Sequence, residues 1–187
     1  SNSLALAGGR TDANSNYTTA IGYNSNASNT YSVAIGRNAA ASGNSAIAIG
    51  DGSRTYGDYG IALGYNAHAD INGAVALGNG SISGGVNTVA INSSQAYGSW
   101  STAIGQGAGA GGSATVAIGY NASSNGTHAI ALGDNVSSTG YASLATGYRT
   151  TADGNYSTAM GNYVSTSGFD GAFTIGDNST TTVMNTF

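Results

Sequence analysis

One short phrase governs what this chain can fold into. Ala34-Ile35-Gly36 returns as Ala48-Ile49-Gly50, Ala62-Leu63-Gly64, Ala76-Leu77-Gly78, Ala103-Ile104-Gly105, Ala117-Ile118-Gly119 and Ala131-Leu132-Gly133. Its closing position falls at residues 22, 36, 50, 64, 78, 92, 105, 119, 133, 147, 161 and 176, and nine of the eleven intervals are 14 residues. Asn92 replaces Gly once and is followed by an interval of 13; the last interval is 15. A fainter copy, Ala5-Leu6-Ala7, lies 15 residues before Gly22. Residues 1–187 therefore read as one array of about thirteen copies, with an exit segment at 177–187 where the pattern fades.

Fourteen residues are too few for a helical repeat, which takes about 33 or more. They fit two strands of about five residues and two tight turns. Ser32-Val33-Ala34-Ile35-Gly36 alternates with period two, so Val33 and Ile35 share one face and Ser32, Ala34 and Gly36 the other. The second strand places Ala39, Ala41 and Gly43 on a small face, with Arg54, Tyr56, His68, Asp70, Ser123 and Asn125 in its wet columns. Gly43-Asn44-Ser45 and Gly126-Thr127-His128 mark one turn, and Asn24, Asn38, Asn66, Asn121, Asn135 and Asn178 mark the other. The expected fold is all-β, a parallel β-solenoid of about 13 coils, on the order of 60 Å long at about 4.8 Å per coil.

Which face lies inside is open. Large against small fills a gap of about 10 Å, which favours Val and Ile pointing inward at the small column of the second strand. The uncharged stripe of Ser32, Ala34, Gly36, Ala48, Ala62, Ala76, Ala117 and Ala131 would then lie outside, as a close-packing surface against another copy. The rival assignment puts Ala and Gly inside and Val and Ile outside, and demands a partner even more strongly. Both predict an oligomer.

Composition narrows the function. Only 6% of residues are charged, as four Arg and eight Asp with no Lys or Glu, and the net charge is −4. Nucleic-acid binding, which needs a basic stripe, is not expected. Gly numbers 31 without Pro, which excludes collagen, and the absence of Cys excludes disulfides and thiolate chemistry. No apolar run approaches the roughly 20 residues that cross a bilayer, so no direct membrane insertion is expected. No leader is visible, so a secreted protein would be represented here by a mature fragment.

Phrases such as Tyr31-Ser32-Val33-Ala34-Ile35-Gly36, Ser45-Ala46-Ile47-Ala48-Ile49-Gly50 and Ala74-Val75-Ala76-Leu77-Gly78, repeated at 14, resemble the head repeats of trimeric autotransporter adhesins, the YadA-like head. The resemblance covers essentially the whole chain. It implies a left-handed parallel β-roll that forms a homotrimer, displayed on a coiled-coil stalk at the cell surface outside a Gram-negative outer membrane. It implies binding to a surface glycan, extracellular matrix, or a host or prey surface protein. No heptad stalk, Lys-rich neck or membrane anchor lies within these residues, and Thr180 to Phe187 match no motif.

Catalysis needs convergent titratable groups, and these are sparse. The Asp residues read as turn residues, Asp51, Asp134 and Asp177 each following the repeat Gly. His68 and His128 are about four coils apart, roughly 20 Å, too far to share a metal. No catalytic residue, metal or cofactor is expected. Twelve of the sixteen aromatics are Tyr. Tyr23, Tyr65, Tyr120 and Tyr148 follow the repeat Gly; Tyr17, Tyr31, Tyr59, Trp100 and Tyr156 precede it by five residues, with His128 in the same column. Two readings stand: aromatic caps over a thin core, or ligand-binding stripes of Tyr23, Tyr65, Tyr120 and Tyr148, and of Tyr31, Tyr59, Trp100 and Tyr156. With four Arg and no Lys, a neutral or polar ligand and weak salt dependence are expected. The leading function is a non-enzymatic adhesive head; the alternatives are a structural spacer of a surface fibre or a polysaccharide-acting solenoid enzyme. An ice-binding face would need an unbroken Thr ladder, which is lacking.

Overall fold

A computed structural model describes residues 2–12 and 15–181. Residues 182–187 of the expected exit segment lie outside the described residues. The chain divides into two compact units, residues 1–93 and 94–187.

In the first unit every coil contributes one strand to each of two parallel sheets. The apolar sheet runs Leu4–Leu6, Thr19–Ile21, Val33–Ile35, Ile47–Ile49, Ile61–Leu63, Val75–Leu77 and Val89–Ile91. The polar sheet runs Arg10–Thr11, Asn26–Ala27, Ala40–Ala41, Arg54–Thr55, His68–Ala69 and Ile82–Ser83. Register follows the repeat: Ala34 pairs with Ala48, and Ala48 with Ala62.

The second unit repeats the scheme. Its apolar strands are Thr102–Ile104, Val116–Ile118, Ile130–Asp134, Leu144–Tyr148, Thr158–Asn162 and Phe173–Asp177. Its polar strands are Gln95–Ala96, Gly109–Ala110, Ser123–Ser124, Ser137–Ser138 and Thr151–Ala152. Beyond Thr151 the polar sheet continues only as single bridges through Ser165 to Thr180. The described residues therefore make about twelve turns rather than thirteen. Strands are three or five residues long in the apolar sheet and two in the polar sheet, shorter than the expected five, because the corners take up the rest of each coil.

The face assignment preferred from sequence is reversed. Over two successive coils Ser32, Ala34, Ala39, Ala41, Ala46 and Ala48 are fully enclosed, while Val33, Ile35, Ile47 and Ile49 point outward. Ala62, Ala76, Ala117 and Ala131 are likewise enclosed within their own chain, so none of these offers a surface to a second copy. Gly36 lies at the corner, half-buried. The reason is width. A 14-residue coil leaves room between its sheets for little more than a methyl or hydroxymethyl group. The largest fully enclosed side chains are Val136 and Val164, followed by Thr and Ser.

Such a core supplies little hydrophobic stabilisation, since each buried methylene-sized group contributes only about 0.8 kcal/mol. Backbone bonds between successive coils carry much of the rest, at about 0.5–1.5 kcal/mol net apiece. Val33 N donates to Ala46 O at 2.9 Å, Gly36 N to Ile21 O at 2.8 Å, and Ile47 N to Gly60 O at 2.9 Å. Enclosed hydroxyls bond carbonyls three residues back: Ser53 donates to Gly50 at 3.0 Å, Thr115 to Gly112 at 2.8 Å and Ser157 to Gly154 at 2.7 Å.

The repeat Gly is a steric requirement. Gly50 has φ +130°, and a Cβ there would sit 2.4 Å from Gly64 O. Asn92 cannot adopt that backbone. It takes φ 64°, Ser93 follows at φ 56°, and this change of corner accompanies the shortened interval.

Candidate functional site

With the interior filled by Ala, Ser, Thr and an occasional Val, the Leu, Ile and aromatic side chains of the described residues stand at least partly outside, and three surfaces follow.

The first is the outward face of the apolar sheet. In the first unit it carries Val33/Ile35, Ile47/Ile49, Ile61/Leu63, Val75/Leu77 and Val89/Ile91, stacked in register. In the second it carries Val116/Ile118 and Ile130/Leu132. All are partly exposed, Ile49 by 38% and Ile118 by 39%.

The second is the pair of corners. Asn24, Asn38, Asn66, Asn121, Asn135 and Asn178 all hold left-handed backbone, with φ from 50° to 58°. The Asn24 side-chain amide donates to the Asn38 carbonyl at 3.0 Å. The opposite corner makes the same turn at Tyr17, Tyr31, Tyr59, Trp100, His128 and Tyr156, with φ from 56° to 61°, and in the same column at Ser45, Ala114 and Ala142, with φ from 51° to 54°. That backbone costs a side chain with a Cβ roughly 1–2 kcal/mol. Coil-to-coil bonds hold it, with Tyr31 N on Asn16 O at 3.0 Å and Tyr59 N on Asn44 O at 2.9 Å. The rings project outward; Tyr59 is 69% exposed and Trp100 66%. Caps over a thin core would be less open, and the core they would cover is enclosed by Ala and Ser.

The expected stripes are placed on the surface but are interrupted. Tyr23 and Tyr65 are separated in their column by Arg37 and Asp51, and Tyr120 and Tyr148 by Asp134. Ring contacts bring in residues outside the expected set. Tyr31 stacks on Tyr17 at 5.3 Å, and Tyr156 meets Tyr141 edge-on at 5.4 Å. Tyr148 meets Tyr163 at 5.6 Å, and the Arg149 guanidinium lies 5.3 Å from one ring and 5.4 Å from the other. Tyr17 and His128 share the column of Tyr31 and Tyr59 and lie outside the expected binding set. Gly73 and Asn87 occupy the same column as Tyr31 and Tyr59, a signal in the sequence that it is a left-handed corner.

The third is a concavity of about 550 Å³ in the first unit, lined by Arg10, Arg37, Arg54, Asp51 and Tyr65 together with Asn24, Asn26, Asn38, Ala40 and Asn66. Arg37 donates to Asp51 through Nη2 at 2.6 Å and Nε at 3.1 Å, which holds its guanidinium protonated more firmly than usual. Sequence reasoning missed this surface because the arginines are far apart in the chain.

The carboxylates behave as turn residues. Asp58 Oδ1 accepts from Asn44 N at 2.7 Å, and Asp170 Oδ1 from Asn155 N at 2.7 Å. Among the described residues no group of three or more His and Asp side chains is placed to hold a metal.

The profile of the YadA head domain repeat (2 copies) matches residues 13–39, 41–67, 56–81, 110–135 and 138–163. The unmatched stretch at 82–109 contains Asn92 and the interval of 13. Comparison with curated proteins finds no match. In-register coils of 14 residues, a small-residue interior and the matched profile over well over half of the sequence lead to one conclusion: the chain belongs to the YadA head domain repeat family.

Proposed function

We propose that the chain is the non-enzymatic adhesive head of a homotrimeric surface fibre, built of left-handed β-rolls and displayed outside a Gram-negative outer membrane. YadA-type domains generally form trimers and bind host surfaces, which supports the reading. The observation that carries it is the set of exposed aromatic corners held at positive φ by coil-to-coil hydrogen bonds. Ser45, Ala114 and Ala142 make the same turn in the same column, so the turn does not require the large exposed rings, which supports recognition as their role. The outward apolar column supports assembly. Within the first unit it runs without a polar residue from Val33 to Ile91 and is partly exposed, a face that a further copy of the chain would cover.

The ligand class is a surface glycan or matrix protein. Tyr and Trp faces stack on sugars or protein surfaces, and adjacent Asn and Ser bond polar groups. Each contact is weak, and three copies on a rod gain by multivalency. The test replaces Tyr31, Tyr59, Trp100 and Tyr156 by Ser, and separately Tyr23, Tyr65, Tyr120 and Tyr148, and measures adhesion to glycan- and matrix-coated surfaces. The expected result is a loss of about tenfold or more from the corner set, as multivalent binding amplifies each weak contact. Unchanged adhesion in both sets would make the chain a spacer.

A further inference from the structure

We infer that the concavity of the first unit binds a single acidic group carried on a saccharide, held between Arg10 and Arg54. Three of the four arginines in the chain line this one depression, against one carboxylate, in a molecule whose net charge is −4. Chance would scatter them. Arg37 is matched by Asp51, the one ion pair found among the described residues. Arg10 and Arg54 therefore face the depression without an acidic partner.

Strand register explains how they meet. Arg10 pairs with Asn26, Asn26 with Ala40, and Ala40 with Arg54, so the two arginines flank a short floor on the outer face of the polar sheet. Their Cα atoms are three strand spacings apart, about 14 Å, and two arginine side chains of roughly 6–7 Å each are long enough to share a group held between them. Ala40 keeps the floor low. Two unmatched guanidiniums suit one carboxylate or sulfate by forked hydrogen bonding and are too few for a polyanion. The rest of the lining points to a sugar: the exposed Tyr65 ring offers a stacking face, and Asn24 and Asn38, bonded to each other through one amide donor and one carbonyl, keep the Asn24 carbonyl and the Asn38 amide for hydroxyls.

This site is formed by residues of one unit of one chain, and it stands whether or not the aromatic corners bind a surface. The test titrates the full chain with lactose, sulfated lactose and sialylated lactose, following binding by NMR. The acidic sugars are expected to bind at least about tenfold tighter than lactose, as charge-assisted forked bonds require, and to weaken as salt rises. Whichever acid binds better distinguishes a sulfate from a carboxylate ligand. The Arg10→Ser/Arg54→Ser double variant should fall to the affinity for lactose, and Ala40→Glu should block the site by placing a carboxylate on its floor. Arg149→Ser, in the second unit, should bind like the parent. Replacing Tyr31 and Tyr59 should leave this binding intact even where it abolishes surface adhesion. Equal affinity for lactose and both acidic derivatives, or full affinity in the double arginine variant with an unchanged melting temperature, would overturn the inference.

Discussion

The two sheets of a coil have the same inner face and opposite outer faces. Inside, Ala34 and Ala48 of the apolar sheet and Ala41 and Ala69 of the polar sheet are equally enclosed. Outside, in the first unit, the first sheet shows Val, Ile and Leu from Val33 to Ile91, and the second shows Arg10, Asn26, Ala40, Arg54 and His68. The shared interior closes the coil, and the contrast outside assigns the surfaces. One sheet is suited to a second copy of the chain, the other to solvent and ligand.

The largest effect should come from breaking what the sheets share. Ala48→Arg places a charge where no side-chain volume exists, and an unpaired buried charge costs several kcal/mol. Circular dichroism should show loss of the fold. Ser123→Arg, on the outer face of the polar sheet, should shift stability by no more than about 0.5 kcal/mol. Equal melting of the two variants would refute the placement of the small residues inside.

Next comes the outer contrast. Ile49→Asp with Leu63→Asp should dissociate the assembly, since each aliphatic side chain buried between copies is worth about 1.5–3 kcal/mol. His68→Asp, on the other sheet, should leave it intact. Sedimentation velocity separates the cases, and a double variant that still sediments with the parent would place the interface elsewhere.

The corners joining the sheets respond more mildly. Gly50→Ala meets both an unfavourable φ of +130° and the Gly64 carbonyl oxygen at 2.4 Å. A loss of about 1–3 kcal/mol is expected in chemical denaturation. No loss would mean that the corner backbone relaxes freely.

The smallest effect concerns the enclosed hydroxyls. Ser124 Oγ is buried with no hydrogen-bond partner, and its column neighbour is Ala110. Ser124→Ala should raise stability by about 1 kcal/mol, because a buried unpaired hydroxyl costs about that much or more. A decrease would show that the hydroxyl is satisfied after all.

Much of this was legible in the sequence. The interval of 14 gave the coil, and the Ala-Ile-Gly columns gave a register that the strand pairs reproduce. The Asn residues two positions past the phrase marked one left-handed corner, as found. The inward face was not legible. Period two states which residues share a face but not which face is enclosed. Placing Val33 and Ile35 inside rests on large against small filling an ordinary sheet spacing of about 10 Å, whereas the width of a 14-residue coil admits only small groups. The aromatic corner was half legible, because Tyr has no preference for left-handed backbone, yet Gly73 and Asn87 share its column. The arginine concavity was hidden, since Arg10 and Arg54 become neighbours only through three strand pairings.

The central claim is that the outer face of the apolar sheet, not that of the polar sheet, joins the copies. The chain has no Cys, so a single introduced thiol is unique. The most direct measurement compares Ile49→Cys with Ala40→Cys in the presence of a short bifunctional thiol cross-linker. The account predicts that Ile49→Cys is captured as covalent oligomers from the assembled protein while Ala40→Cys remains a single chain on a denaturing gel. Oligomers from Ala40→Cys, with Ile49→Cys left as single chains, would contradict it.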